Sequence, residues 1–184
     1  MIAMSSRSML VYSLGVTLLL ATGANAHSQG LKWTIVNFKV RHDFPTVRRI
    51  DSQHLLQWLS DPHRAQAILF DVRTKEEYDI SHLHDAQRIE PGSSVMSINI
   101  PREKPIVTYC SVGYRSAAFA KALQDAGFKD VQNLTGSIFD WANNGFPMER
   151  QGQAVKKVHP YNERWSRLLR KELRANVPPV DAGI

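Results

Sequence analysis

The sequence predicts an α/β domain with a mostly parallel central sheet flanked by helices. Two short apolar, β-branched runs, Ala67-Ile68-Leu69-Phe70-Asp71-Val72 and Ile106-Val107-Thr108-Tyr109, read as strands buried on both faces. Each leads at once into a helix-starting pattern, and strands alternating with helices at this spacing imply a parallel sheet. The second run ends at Cys110, the only cysteine in the 184 residues. Small residues and Arg115 follow it, so a strand end, a thiol, a tight loop and a helix start meet within eleven residues, at the sheet edge where such folds place their ligands.

Taken in order, residues 1–26 read as a signal peptide. Arg7 supplies a positive start, Met9 to Leu20 is a short apolar stretch, and Ala24-Asn25-Ala26 is a cleavage signal that puts the mature start near His27. The apolar stretch falls short of the ~20 residues of a spanning helix, which makes an uncleaved anchor the lesser alternative. Residues 27–46 form a lead-in, in which Trp33, Ile35, Val36, Phe38 and Val40 alternate imperfectly, as an edge strand or an extended segment would. Asp51 is a good N-cap for a helix carrying Leu55, Leu56, Trp58 and Leu59, stopped by Asp61-Pro62. Thr74-Lys75-Glu76-Glu77 has capping-box form. Ala86–Ile89 reads as a short strand, and Pro91–Ser94 turns into a weak helical stretch through Ile98. After the cysteine loop, a helix with Phe119, Ala122, Leu123 and Ala126 on one face closes at Gly127. Val131–Leu134 reads as another strand, and Ser137 as the cap of a helix with Ile138, Trp141 and Ala142.

A composition of 43% hydrophobic and 22% charged residues is that of a globular protein. The net charge of +6 is unevenly placed. Residues 156–174 hold a net +5, while Arg7 supplies the rest. The basic character therefore belongs to a C-terminal appendage, which argues against a nucleic-acid-binding domain. Export implies an oxidising compartment, periplasmic or extracellular. There a lone thiol is buried, paired with another chain, or reactive.

The loop composition favours a reactive thiol. An ordinary thiol, with a pKa of ~8.5, is a poor nucleophile at neutral pH, and a helix N-terminus or a nearby cation lowers that value. The amides from Ser111 through Val112, Gly113 and Tyr114 to Ser116 can converge on the sulfur. The following helix points its positive end at it, Gly113 allows a positive φ, and Arg115 adds a fixed charge.

Cys110-Ser111-Val112-Gly113-Tyr114-Arg115-Ser116 resembles the C-x-x-G-x-R-S loop of single-domain rhodaneses, and the likeness extends over about residues 47–150. Asp71-Val72-Arg73 with Glu77-Tyr78 resembles that family's D-V-R…E-[YF] motif. Asn133-Leu134-Thr135-Gly136-Ser137-Ile138-Phe139-Asp140-Trp141 is similar to its N-L-x-G-G-x-x-x-W pattern. The family's G-H-I-P-G-A segment is replaced by Ser81-His82-Leu83-His84-Asp85-Ala86, with polar residues for glycine and proline. The two histidines have no third partner with metal-ligand spacing, so no metal is expected.

The resemblance implies a three-layer rhodanese-like domain and sulfur transfer without a cofactor. A small anionic donor such as thiosulfate would load Cys110 with a sulfane sulfur, and a thiol or cyanide would remove it. The six-residue span from Cys110 to Arg115 suits a sulfur-sized ligand, whereas related phosphatases use a loop one residue longer. Cys110 is the candidate nucleophile. Ser111, Val112, Gly113, Tyr114, Arg115 and Ser116 are candidates for binding, as is Arg73. For Arg73 the alternative is a structural pair with Glu77, and Asp71 reads as a structural acceptor.

Residues 151–184 read as a basic amphipathic helix and a loose tail. Asn162 would cap the helix, and Trp165, Leu168, Leu169 and Leu173 form one apolar stripe. The stripe either packs on the domain or lets residues 162–174 touch an anionic membrane surface or an acidic partner. A relay module that passes sulfur from Cys110 to a partner protein is the alternative to a free-standing enzyme.

Overall fold

Five parallel strands run through the centre of the molecule in the order β1-β5-β4-β2-β3. They are β1 (Arg48–Ile50), β2 (Ile68–Asp71), β3 (Gln87–Arg88), β4 (Ile106–Tyr109) and β5 (Val131–Leu134). The structure is a computed structural model that describes residues 30–178. The expected signal peptide and the last residues of the tail lie outside the described residues.

In the sheet, Ile68–Asp71 stands opposite Ile106–Tyr109, and Ile106–Thr108 opposite Val131–Asn133. Strand side chains alternate between faces, so each of these strands feeds two layers. Leu69, Val107, Tyr109 and Leu134 join α2 (Ser52–Ser60) and α5 (Ser137–Asn143) in one core cluster. Phe70, Ile106 and Val131 join α4 (Tyr114–Asp125) in the other. The parallel sheet is the one expected from the alternating strands and helices, and the three layers are those the resemblance implied. The β4–α4 connection, and with it Cys110, lies at the C-terminal edge of a central strand, the usual ligand position of an open parallel sheet.

Local signals account for most boundaries. Asp51 accepts the His54 N–H and caps α2. Thr74 and Glu77 form a complete capping box at the start of α3 (Lys75–Ile80). The weak helical stretch before Ile98 is a 3-10 turn at Val95–Ser97.

Four segments differ from the sequence reading. Residues 30–43, expected to be extended, form a helix, α1. Its inner face is Trp33, Val36 and Val40, spaced three and four apart. Leu31, Ile35 and Phe38 are exposed on the other side, and apolar residues on both faces mimic strand alternation in the sequence. In α4 the buried positions are Ser116, Ala117, Ala120 and Leu123, so the inner face is rotated from the expected one, with Phe119 and Ala126 at its margin. A hairpin that the sequence did not announce, β6 (Met148–Arg150) and β7 (Gln153–Val155), follows α5.

The expected helix over 162–174 is broken into α6 (Glu163–Ser166) and a 3-10 turn at Lys171–Leu173. Tertiary partners take over the backbone groups between them. The Asn143 amide donates to the Leu168 carbonyl at 2.8 Å and accepts the Arg170 N–H at 3.0 Å. Leu168 and Leu169 are both buried, and Trp165 and Leu173 pack beside them. The apolar stripe is turned into the core.

Candidate active site

Cys110 is the first residue after β4, and its surroundings are built by both neighbouring helices. Ser137 Oγ accepts the Cys110 N–H at 3.1 Å and donates to the Leu134 carbonyl. The first amides of α5, Ile138 and Phe139, donate to the Cys110 and Ser111 carbonyls, each at 3.2 Å. The chain then turns at Gly113, whose φ of 107° lies in the left-handed region that glycine enters without cost. The Asn133 side chain donates to the Gly113 carbonyl, and Thr108 Oγ1 donates to that of Ser116. These bonds fix the turn from which the Gly113 and Ser116 amides face the sulfur.

Two donors reach Cys110 Sγ: the Gly113 N–H at 3.2 Å and the Ser116 hydroxyl at 3.5 Å. Burial pushes the thiol up, but the Arg115 charge, the Ser116 hydroxyl and amide and the Gly113 amide outweigh it, so the thiol lies below its ordinary pKa. Cys110 itself is only 1% exposed.

Arg115 does not stand free beside the thiol. Its Nη1 and Nη2 bind the Glu77 carboxylate at 3.0 and 2.9 Å, and Nη2 also reaches Ser111 Oγ. The Ser111 hydroxyl donates to the same carboxylate. Glu77 is fully buried; burial raises its pKa, and the facing Arg115 charge more than offsets that. Glu77, read in the sequence as a capping-box residue, therefore couples α3 to the cysteine loop.

Arg73 corrects the sequence reading. It is fully buried, and its Nε and Nη2 bind the carboxylate of Asp71, not of Glu77, while Nη2 also donates to the Ser81 carbonyl at 2.6 Å. Asp71 ends β2 directly beneath it, two residues back. So enclosed, Arg73 shapes the 81–86 loop and does not face an incoming anion. Tyr114 turns outward to α1, where its hydroxyl donates to Asp43 at 2.8 Å and its ring meets Phe44 edge-on. Val112 is buried. Ser137 is not a helix cap: Gly136 holds that position, and Ser137 has φ +51° and serves the cysteine.

The 81–86 loop is pinned by an acidic residue of the hairpin. His82 and Glu149 exchange backbone hydrogen bonds, and His84 Nδ1 lies 2.6 Å from the Glu149 carboxylate. His82 stacks on Tyr78 at 3.9 Å. Beside Gly113 is a cavity of about 120 Å³, lined by Asn37, Arg41, Arg49, Asn133 and Thr135 among others. Neither arginine has a carboxylate partner among the described residues.

A family profile for the rhodanese-like domain matches residues 53–144. A sulfurtransferase of Allochromatium vinosum is 33% identical over 103 residues, covering 55% of this chain and 94% of its own length. A probable adenylyltransferase/sulfurtransferase of Mycobacterium tuberculosis is 38% identical over 102 residues; the match covers 53% of this chain but only 25% of that protein. Among solved structures, a Bacillus halodurans protein superposes with a TM-score of 0.53 at 25% identity, over 72% of this chain and 98% of its own.

Proposed function

The chain belongs to the rhodanese-like domain family, and from that premise we propose that it moves a sulfane sulfur from a small anionic donor such as thiosulfate to a thiol or cyanide through a persulfide on Cys110. The thiolate attacks the outer sulfur of the donor; the sulfur–sulfur bond of thiosulfate breaks, and sulfite leaves with the electron pair. The acceptor then attacks the outer persulfide sulfur, and the Cys110 thiolate is released. No net oxidation of the protein is required.

The observation that carries this reading is the setting of Cys110 Sγ. The amide of Gly113 and the hydroxyl of Ser116 face it, at the start of a twelve-residue helix with no side-chain cap. Such a setting stabilises a thiolate and, one atom further out, the terminal sulfur of a persulfide. Because Arg115 is neutralised by Glu77, the anionic donor is met chiefly by loop amides and the helix N-terminus. Arg41 and Arg49 in the cavity beside Gly113, without a carboxylate partner among the described residues, add a positive field that attracts it. Export through residues 1–26 belongs to the same proposal: a single thiol in an oxidising compartment remains useful if its oxidised form is a reversible persulfide.

Intact-mass analysis after mild thiosulfate treatment tests the chemistry. The expected result is a gain of one sulfur that cyanide removes and that Cys110→Ser lacks. No gain with thiosulfate or any other sulfane donor would overturn the reading.

A second reading, transfer to a partner protein, is favoured by the exposed Arg164 and Arg167 on the outer side of α6. Replacing both with glutamate separates the two readings. Loss of transfer to a protein acceptor with unchanged cyanide turnover favours the relay.

A further inference from the structure

After the β6–β7 hairpin the chain folds back toward the cysteine loop. Val158 and His159 are buried and anchor it. Tyr161 follows with φ +64°, a left-handed conformation that is unusual for an aromatic residue and persists only where its surroundings impose it. Two bonds impose it here. The Tyr161 N–H donates to His159 Nδ1 at 3.0 Å, and the next residue, Asn162, is committed to capping α6 by accepting the Trp165 N–H. The turn delivers the half-buried Tyr161 ring onto Arg115, whose guanidinium carbon lies 4.5 Å from the ring centroid. Arg115 is in turn clamped to the buried Glu77. The ring therefore sits on Arg115, the charged side chain whose field acts on the thiol, and Cys110 beside that arginine is almost wholly buried.

A cation–π contact at a partly exposed site is weak enough to open and close on its own. By contrast, the chain on either side of Tyr161 is held by buried Val158 and by Leu168 and Leu169. The ring can swing without unfolding the segment.

We propose that Tyr161 is the specificity-determining gate of the Cys110 thiol, closing the loop against bulky acceptors and admitting small ones such as cyanide or a low-mass thiol. This rests on Cys110 being the reactive group and adds the size class of what reaches it. The phenol suits the position as a neutral group. Burial raises its pKa, the Cys110 and Glu77 charges raise it further, and only Arg115 acts in the other sense.

The test is the alkylation rate of Cys110 with iodoacetamide and with a maleimide carrying a polyethylene glycol chain, each normalised to a free low-mass thiol at the same pH. Tyr161→Gly removes the ring while glycine takes the left-handed φ without strain, so the variant is expected to fold. Its normalised rate with the bulky reagent should rise about tenfold, and with iodoacetamide less than about threefold, because a small opening of the ring suffices for iodoacetamide whereas the bulky reagent needs the ring fully displaced. Tyr161→Asn, which also tolerates this φ, carries the same expectation if the glycine variant melts below the assay temperature. Tyr161→Phe should behave as the wild type. An unchanged bulky-reagent rate, an equal rise for both reagents, or an open phenylalanine variant would each overturn the gate. Alkylation needs no sulfur donor. An intact size ratio without persulfide formation would therefore sink the sulfur-transfer reading and leave the gate standing; persulfide formation without a size ratio would do the reverse.

Discussion

The cysteine loop is held from two sides, by α1 outside the 53–144 rhodanese match and by Glu77 within it together with the C-terminal segment beyond it, and the two holds differ in kind. On the N-terminal side, Tyr114 meets α1 through Asp43, Lys39 and Phe44 at the surface. On the C-terminal side, Arg115 meets Glu77 in the interior and Tyr161 above it, over a base of Val158, Leu168 and Leu169. A surface hydrogen bond and an exposed cation–π contact compete with water, so the first hold is weak and adjustable. Breaking a buried pair strands a charge, so the second is expensive to disturb. Two adjacent residues of one loop thus serve as a loose tether and a fixed post.

The largest effect should come from Glu77→Gln, which leaves Arg115 without its carboxylate. A loss of about 3–5 kcal/mol is expected from denaturant melts, as for one partner removed from a buried pair. The same variant sharpens the electrostatic side of the comparison. With the compensating negative charge gone, Arg115 acts more strongly on Cys110, and the pH midpoint of Cys110 alkylation should fall below that of the wild type. A midpoint that rises would show that Arg115 needs Glu77 for its position more than it suffers from its charge.

Next in size is Leu169→Ala, expected to cost about 2–5 kcal/mol because the residue is fully buried in the main core cluster. A cost below about 1 kcal/mol would mean that the C-terminal segment is a surface strap, and the contrast between the two holds would collapse.

Tyr114→Phe breaks the N-terminal hold at its bond to Asp43. The bond is solvent-exposed, so its loss should cost less than about 1 kcal/mol in denaturant melts. A larger loss would place α1 among the structural elements of the domain.

The smallest effect concerns the rim. Glu149 raises the pKa of His84 by hydrogen bond and by charge. A raised histidine pKa stabilises the folded state below its unfolded value of ~6.5, and that contribution fades as pH rises through the folded value. Because His84 is exposed, the expected signature is a histidine NMR titration above the ordinary midpoint that falls toward it in Glu149→Gln, with Asp85 still holding it up, and hardly any change in melting temperature.

What could be read beforehand follows from the range of the interactions involved. The cysteine loop was legible because its thiol, its glycine turn, its serine donor and its helix start are neighbours in the chain. Asp51, Thr74 and Glu77 were legible as helix caps for the same reason. Glu77 also has a second role that nothing within a few residues hinted at: its partners Ser111 and Arg115 are 34 and 38 positions away. Arg73 was weighed as a site residue or a pair with Glu77, four positions on; the end of β2 instead brings Asp71 under its guanidinium. Ser137 looked like a cap because serine before an apolar helical run is normally one. Its hydroxyl instead serves the Cys110 amide, 27 positions away. The α1 helix was hidden by Leu31, Ile35 and Phe38 on its outer face, and the C-terminal helix was broken by an asparagine from α5.

The sequence by itself determined the parallel α/β frame and the place of the thiol in it, because buried strands need continuous apolar runs and a tight loop closed on its own thiol is a local object. The tertiary structure decided which charges remain available to that thiol and what stands over it. Of the two arginines expected to meet an anion, one is sealed against Asp71 and the other is clamped to Glu77 beneath Tyr161. Side-chain charge is visible in a sequence, but its neutralisation depends on carboxylates that only folding brings within reach.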